Sequence, residues 1–164
     1  MAGSAVIGHV HGEDGPLSGA TPPAEPTLLY VMKQVELAVR ARLDGLLKPS
    51  GITALQYTAL TVLERRTDMS SAELARNSFV TTQTMADMVT ALLGRGLISR
   101  HRDQTNRRRL KLRLTAAGRE LLDRHRGDVA DLETQMLSRL TRQQAVHLRD
   151  YMYECRAALA DTPH

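Results

Sequence analysis

A run of basic side chains lies in the middle of the chain. Eight Lys or Arg residues and one acid, Asp103, fall between Arg95 and Arg113, so this stretch carries a net charge of +7, whereas the whole 164-residue chain carries +4. Guanidinium and ammonium groups bind phosphate oxygens, and such local charge indicates binding to duplex DNA. The basic residues that we expect to contact DNA are Arg100, Arg102, Arg107, Arg108, Arg109 and Lys111.

Side chains that could read base edges precede the basic run. Thr81, Thr82, Gln83 and Thr84 stand at the predicted start of a helix, and Asp87 follows one turn later. Glutamine can pair with adenine through two hydrogen bonds, and threonine offers a hydroxyl group and a methyl group for thymine. We expect all five residues at the DNA, although Thr81 or Thr82 also has to cap the helix. Asp87 either accepts from cytosine or, as we favour, holds a neighbouring arginine.

Two predicted helices position the base-reading group. Residues 70–73 have the serine and glutamate spacing of a capping box, which predicts a short helix followed by a turn at Asn77-Ser78. A longer helix then begins at Thr81 or Thr82 and ends before Gly96, which offers a left-handed stop. In a helix-turn-helix the first residues of the second helix meet the base edges of the major groove.

The basic run falls on a predicted β-hairpin. Ile98–Arg102 and Leu110–Leu114 alternate as strands do, with the three leucines of the second strand on one side. Arg108 at the tip of the connecting loop could enter a narrow minor groove, with Arg107 and Arg109 at flanking phosphates. A solvated charged turn is the alternative. Together these elements predict a mainly α fold with a small β-hairpin wing, that is, a winged helix-turn-helix.

Amphipathic helices are predicted on both sides of this region. They begin after Thr27, Thr115 and Thr141, and the first stops at Pro49 and Gly51. A monomer of this size would not cover all of their apolar stripes, so we expect the helices of two copies to interleave in a homodimer. The stripe residues are Leu28, Met32, Val35, Val39, Leu43 and Leu46, then Leu122, His125, Val129, Leu132 and Met136, and finally Leu148, Met152, Cys155 and Leu159.

The predicted domain organisation has three parts. Residues 1–26 hold five glycines and four prolines and no aromatic residue, which indicates a disordered tail. Residues 27–50 and 116–160 form dimerisation helices. Residues 51–115 form the DNA-binding region, which opens with a helix capped by Thr53 and running to about Arg66.

Composition argues against several other classes of protein. Trp is absent and Phe occurs once, which disfavours single-strand binding through stacking. A single cysteine, Cys155, fits a reducing compartment, and it is either a redox sensor or, as we favour, a buried, inert thiol. No apolar run approaches the ~20 residues that span a bilayer, and the first basic residue is Lys33, so we expect a cytoplasmic protein without a membrane partner.

The chain also lacks the patterns of an enzyme. It has no nucleophile beside a base, no glycine-rich phosphate loop and no metal-ligand spacing. The histidine pairs His9 with His11 and His125 with His147 lack the further ligands of a metal site. We therefore expect no catalytic activity, no cofactor and no metal.

Three segments together resemble the MarR/SlyA family of bacterial transcriptional regulators. They are Leu97-Ile98-Ser99-Arg100, Asp103-Gln104-Thr105-Asn106-Arg107-Arg108 and Leu114-Thr115-Ala116-Ala117-Gly118, and Gly51-Ile52-Thr53 with Gln56-Tyr57 adds to the likeness. Gln104 and Asn106 stand where the family's wing usually has Pro and Asp, so a neutral group replaces the acid that often orients the wing arginine, here Arg108. The resemblance, over about residues 27–160, implies a dimeric winged-helix protein on a pseudo-palindromic operator, usually a repressor relieved by a small ligand.

A ligand site is implied by the same resemblance. Family members often bind small aromatic acids or other amphipathic compounds between the dimerisation helices and the DNA-binding lobe. The candidates here are Tyr30, Lys33, Gln34, Leu37 and Tyr57, which combine a cation and phenols with an apolar wall. Alternatively, Lys33 is solvated and Tyr57 is a packing residue.

Two functional hypotheses remain from the sequence. The favoured one is a sequence-specific, ligand-responsive transcriptional regulator with double-stranded DNA and a second copy of itself as partners. The alternative is a non-specific architectural DNA-binding protein. The ratio of specific to non-specific affinity separates them, because a regulator should reach roughly 10³ or more.

Overall fold

The computed structural model describes residues 25–160, and helices make up most of that stretch. The predicted fold class, mainly helical with a small β-hairpin wing, is confirmed. The tail predicted over residues 1–26 lies, except for its last two residues, outside the described part of the chain. No helix within residues 25–160 is long and apolar enough to cross a membrane. The elements are α1 (Leu28–Leu47), α2 (Ala54–Arg65), α3 (Ser71–Asn77), α4 (Thr82–Gly94), β1 (Ile98–Arg102), β2 (Leu110–Leu114), α5 (Ala116–Leu137) and α6 (Arg142–Ala160).

Side-chain caps explain where the helices begin. Thr53 and Ser70 each complete a capping box, in which the hydroxyl accepts from the third backbone N–H of the helix and the glutamine or glutamate there binds back. Thr81, and not Thr82, caps α4, and Thr115 caps α5. Each of these starts depends on four consecutive residues, which is why they were predictable from the sequence.

The core lies between α2, α3, α4, the start of α5 and the inner side of the wing. Its fully buried side chains are mostly leucines, among them Leu60, Leu74 and Leu92. The wing is antiparallel, with Ile98 opposite Leu114. Of the three leucines expected to face inward, Leu110 is 46% exposed because it is the first residue of β2, beside the wing loop and beyond the core.

The turn between α3 and α4 contains a strained residue. We expected the turn at Asn77-Ser78, whereas the left-handed backbone conformation, with φ of 55°, falls on Phe79. This side chain is also 77% exposed. A left-handed conformation costs a bulky residue about 1–2 kcal/mol, and glycine usually takes such positions.

The outer helices leave their apolar faces uncovered within one chain. Helix α1 buries only Leu47, and no described side chain of α6 is buried. Cys155, expected to be a buried thiol, is exposed. The physical reason is that, within residues 25–160, no other helix covers the apolar side chains of α6.

Candidate nucleic-acid interface

The first turn of α4 carries the predicted base-reading group. The Thr81 hydroxyl accepts a hydrogen bond from the backbone N–H of Thr84 at 3.1 Å, and the two hydroxyls lie 2.8 Å apart. These two side chains are therefore partly engaged in capping. Thr82 and Gln83 are exposed and project from the same turn. They are the members of the group best placed to meet base edges.

Asp87 has a different partner from the one we favoured. The expectation that it holds a neighbouring arginine is wrong for this structure, because its carboxylate accepts from the Gln83 side-chain amide at 3.3 Å. Residues four apart share one face of a helix, so the side chains of Gln83 and Asp87 lie side by side on α4. Asp87 thus orients the amide of Gln83 in the absence of DNA.

Hydrogen bonds within the loop organise the tip of the wing. The Asp103 carboxylate accepts from the Thr105 backbone N–H at 2.9 Å and from its hydroxyl at 2.8 Å. These bonds hold the pKa of Asp103 below its usual range. The side-chain oxygen of Asn106 accepts from the backbone N–H of Arg108 at 3.1 Å. Asn106 therefore shapes the tip through its amide, without the acid usual in the family.

The predicted basic residues divide into two groups by exposure. Arg100 on β1 and the tip residues Arg107, Arg108 and Arg109 are exposed. Arg102 is exposed as well, and its guanidinium donates to the backbone carbonyl of Arg107 at 3.1 Å, which braces the loop.

Lys111 belongs to the inner group. Its side chain is 16% exposed, and its ammonium lies 3.3 Å from the Glu73 carboxylate and 4.0 Å from that of Asp103. Backbone and side-chain hydrogen bonds from Ser70, together with Lys111, lower the pKa of Glu73 to about 2. Lys111 therefore joins the wing to α3, and two carboxylates of the chain balance its charge.

A second ionic cluster fastens the base of the wing. The guanidinium of Arg113 binds Asp68 through two hydrogen bonds, one of them 2.7 Å long, and the ring of His101 lies 2.8 Å from the same carboxylate. The Arg113 hydrogen bond is the main reason that the pKa of Asp68 lies below its usual range. Sequence reasoning missed this cluster because its members come from the α2–α3 loop and from both strands.

Arg76 is a cation that sequence reasoning did not assign to the interface. It is exposed on α3 and lines a cavity of about 280 Å³ between α3 and the wing, together with Arg109 and Lys111. The only signal in the sequence was its place on the first helix of the pair. Its position beside Arg109 adds a positive charge next to the wing.

The candidate ligand residues are not brought together within one chain. Tyr30, Lys33, Gln34 and Leu37 are exposed on the first half of α1, and Lys33 pairs with Glu36 at 2.9 Å. Tyr57 is buried on α2, where burial raises its pKa and Arg126 and Glu64 are its charged neighbours. A different cavity, of about 470 Å³, lies between α1 and α5, and none of the five candidates lines it.

This geometry defines a winged helix-turn-helix protein, and comparisons with known proteins specify its family. The MarR family model matches residues 52–110, which cover α2 to the start of β2. The HTH-type transcriptional repressor Rv2887 of Mycobacterium tuberculosis is 33% identical over 115 residues, which are 70% of this chain and 83% of the relative. The chain therefore belongs to the MarR family of transcriptional regulators, and the resemblance noted in the sequence is confirmed.

Solved structures similar to this chain include complexes. The repressor CouR bound to a 23-mer DNA duplex has a TM-score of 0.66 and 28% identity, over 82% of this chain and 92% of that one. Rv2887 in complex with DNA has a TM-score of 0.64 and 27% identity, over 80% and 98%. Rv2887 in complex with p-aminosalicylic acid has a TM-score of 0.65 and 29% identity, over 79% and 98%.

Proposed function

We propose that this protein is a transcriptional repressor that binds a pseudo-palindromic DNA operator as a homodimer. The proposal rests on two exposed groups of side chains: Thr82 and Gln83 on the first turn of α4, and the arginines at the tip of the wing. The first group suits base edges in the major groove and the second suits the minor groove and phosphates. The DNA complexes of CouR and Rv2887 support this assignment.

The uncovered helices support a homodimer. Val35 on α1 and Met152 on α6 are nearly half exposed, and Leu28 and Leu159 are exposed further. Such apolar faces, at opposite ends of the chain, are removed from water when two copies pack together. A dimer presents two recognition helices, which fit half-sites about one helical turn apart. The 23-mer bound by CouR is long enough for two such half-sites.

A small aromatic acid is the proposed effector class. The p-aminosalicylic acid complex of Rv2887 supports this class. Tyr30, Lys33, Gln34 and Leu37 lie on the exposed part of α1, so a pocket that includes them needs the second copy as its other wall. A ligand in such a pocket would touch the dimerisation helices and the DNA-binding region of each copy. Its binding would then change the distance between the two recognition helices.

Footprinting tests the proposed function. Purified protein is bound at physiological salt to the DNA beside its own gene, with random DNA as competitor. We expect a protected palindrome that survives competitor, at a specificity ratio of roughly 10³ or more. Binding that competitor abolishes on this DNA and on sites selected from the whole genome would contradict a regulator and favour the architectural alternative.

Arg108→Ala tests the role of the wing tip. If Arg108 neutralises a phosphate, the variant should bind operator and random DNA more weakly by similar factors, with a salt slope reduced by about 1. A loss confined to the operator would instead assign Arg108 to groove shape. Arg139→Ala, an exposed arginine between α5 and α6, is the control and should bind as the wild type does. Unchanged affinity in Arg108→Ala would remove Arg108 from the interface.

A further inference from the structure

Arg95 belongs to the basic run by sequence but faces away from the base-reading end of α4. It follows the last residue of that helix, Gly94, at the end opposite Gln83. Its guanidinium donates to two consecutive backbone carbonyls, that of Gly51 at 2.5 Å and that of Ser50 at 2.6 Å. A charged, two-pronged donor makes such bonds both stronger and more directional than neutral single ones.

The segment that Arg95 holds is itself fixed. Ser50 ends a short 3-10 turn after α1, and Gly51 has a left-handed φ of 64°. Its N–H donates to the carbonyl of Lys48 at 2.9 Å. On the other side, Asp44 on α1 accepts from the backbone N–H of Ala54 on α2 at 2.6 Å. A displacement of the end of α4 is therefore opposed by a stiff α1–α2 connection.

Ser50 also joins this connection to α5. Its hydroxyl lies 2.7 Å from Nε2 of His125, whose side chain is buried. Nδ1 of that ring lies 3.9 Å from the Asp128 carboxylate. The Ser50 hydroxyl can donate to this ring nitrogen or accept from it, so either tautomer of His125 keeps the hydrogen bond. One residue thus contacts the recognition helix through its carbonyl and the dimerisation helix through its hydroxyl.

We propose that this Arg95–Ser50–His125 link is a positioning device that sets the half-site spacing the dimer accepts. Arg95, Ser50 and His125 lie outside the base-reading turn and the wing tip. The link joins the far end of α4 to α5, so it fixes the angle between the recognition helix and the dimerisation helices. Because half-site spacing mirrors the separation of the two recognition helices, that angle selects the spacing. The inference rests on the proposed homodimer and its palindromic operator.

A spacing series tests the link. Operator half-sites are separated by the natural spacer and by spacers one and two base pairs shorter and longer, and affinity is measured for each. The wild type should prefer one spacing by about tenfold or more, the cost of losing good base contacts in one half-site. Arg95→Ala and Arg95→Lys should flatten this profile while the base preference within each half-site is kept. Lysine keeps the charge but cannot span two carbonyls.

Two further variants keep the test decisive. Ser50→Ala removes only the hydroxyl and should partly flatten the dependence of affinity on spacing. If Arg95→Ala does not fold, the Ser50→Ala result tests the link in its place. Arg119→Ala is the matched control, since it removes an arginine-to-carbonyl bond from α5 to Leu114 and should leave the profile unchanged. An equal loss at every spacing in Arg95→Ala and Ser50→Ala would overturn the link. A wild type indifferent to paired half-sites would instead overturn the proposed function.

Discussion

At Gly118 the fold leaves no room for a side chain. A Cβ atom there would lie 2.2 Å from the backbone carbonyl oxygen of Leu97 and 2.9 Å from a methyl group of Leu114. The first turn of α5 thus packs directly on the backbone that leads into the wing. This close approach explains the glycine in the Leu114-Thr115-Ala116-Ala117-Gly118 segment, which the sequence showed only as a resemblance.

Gly118→Ala should therefore destabilise the fold. We expect a loss of about 1–3 kcal/mol in the free energy of unfolding, because the clash is with backbone that cannot rotate away. Urea denaturation followed by circular dichroism measures it. Gly127→Ala on the same helix is the control: no atom lies within 4 Å of its new Cβ, so a gain of roughly 0.5–1 kcal/mol is expected. Equal stability of Gly118→Ala and the wild type would contradict the packing.

Among the elements, α3 and the wing are joined by one carboxylate. Glu73 accepts from the backbone and hydroxyl of Ser70 at 2.7 Å each, and from Lys111 at 3.3 Å. The same group thus starts the first helix of the pair and holds the wing against it. Its pKa, lowered to about 2 from 4.5, shows that the charged form is the stabilising one.

The lowered pKa of Glu73 determines how the stability of the fold changes with pH. A carboxyl whose folded pKa is lowered stabilises the fold fully above its unfolded pKa, near 4.5, and loses this contribution as the pH falls toward 2. Glu73→Gln should therefore be less stable than the wild type at pH 7, by roughly 1 kcal/mol or less because the side chain is 40% exposed. The difference should vanish between pH 4.5 and 2.

Urea denaturation at pH 7, 4.5, 3 and 2 measures this convergence. Lys111→Gln serves as the comparison and should keep most of the pH-dependent contribution, since the hydrogen bonds from Ser70 lower the pKa of Glu73 more than Lys111 does. A constant gap between Glu73→Gln and the wild type at every pH would show that the charge of Glu73 contributes nothing.

Local signals explain why the elements could be predicted from the sequence. Capping residues, the strand alternation and the glycine after α4 each act within a few neighbouring residues, and the two strands have the predicted bounds. The side-chain partners could not be predicted in the same way. Alternation put Lys111 on the polar side of its strand, but no local rule places Glu73, 38 residues earlier, against it.

The left-handed residue of the turn between α3 and α4 shows a second limit of prediction from the sequence. Glycine or asparagine would have marked the position, whereas the chain has Phe79 there. The ligand candidates show a third limit, since Tyr57 is buried on α2 while the other four lie exposed on α1. If the proposed ligand site is completed by a second copy, the apolar periodicity of one chain cannot give its arrangement.

For the whole molecule, the outer helices leave apolar side chains uncovered within one chain. Leu148 and Met152 are one turn apart on α6 and are each 40% or more exposed. Apolar side chains in such a row gain free energy when a second helix covers them, by about 25 cal/mol for each Å² removed from water. The homodimer proposed above would use this area, and would make the stability of the protein depend on its concentration.

Introducing negative charge on this face of α6 should therefore weaken the proposed dimer. The double variant Leu148→Glu with Met152→Glu would bury two unpaired carboxylates from each copy, at a cost of several kcal/mol, and should weaken the dimer by about a hundredfold or more. Analytical ultracentrifugation at micromolar concentration measures the mass, and circular dichroism checks that the helices remain. Gln143→Glu, an exposed position on the same helix, controls for added charge and should stay dimeric. A double variant that remains a dimer would show that this face of α6 lies outside the interface, and the half-site spacing would then have to be set by contacts of α1 and α5.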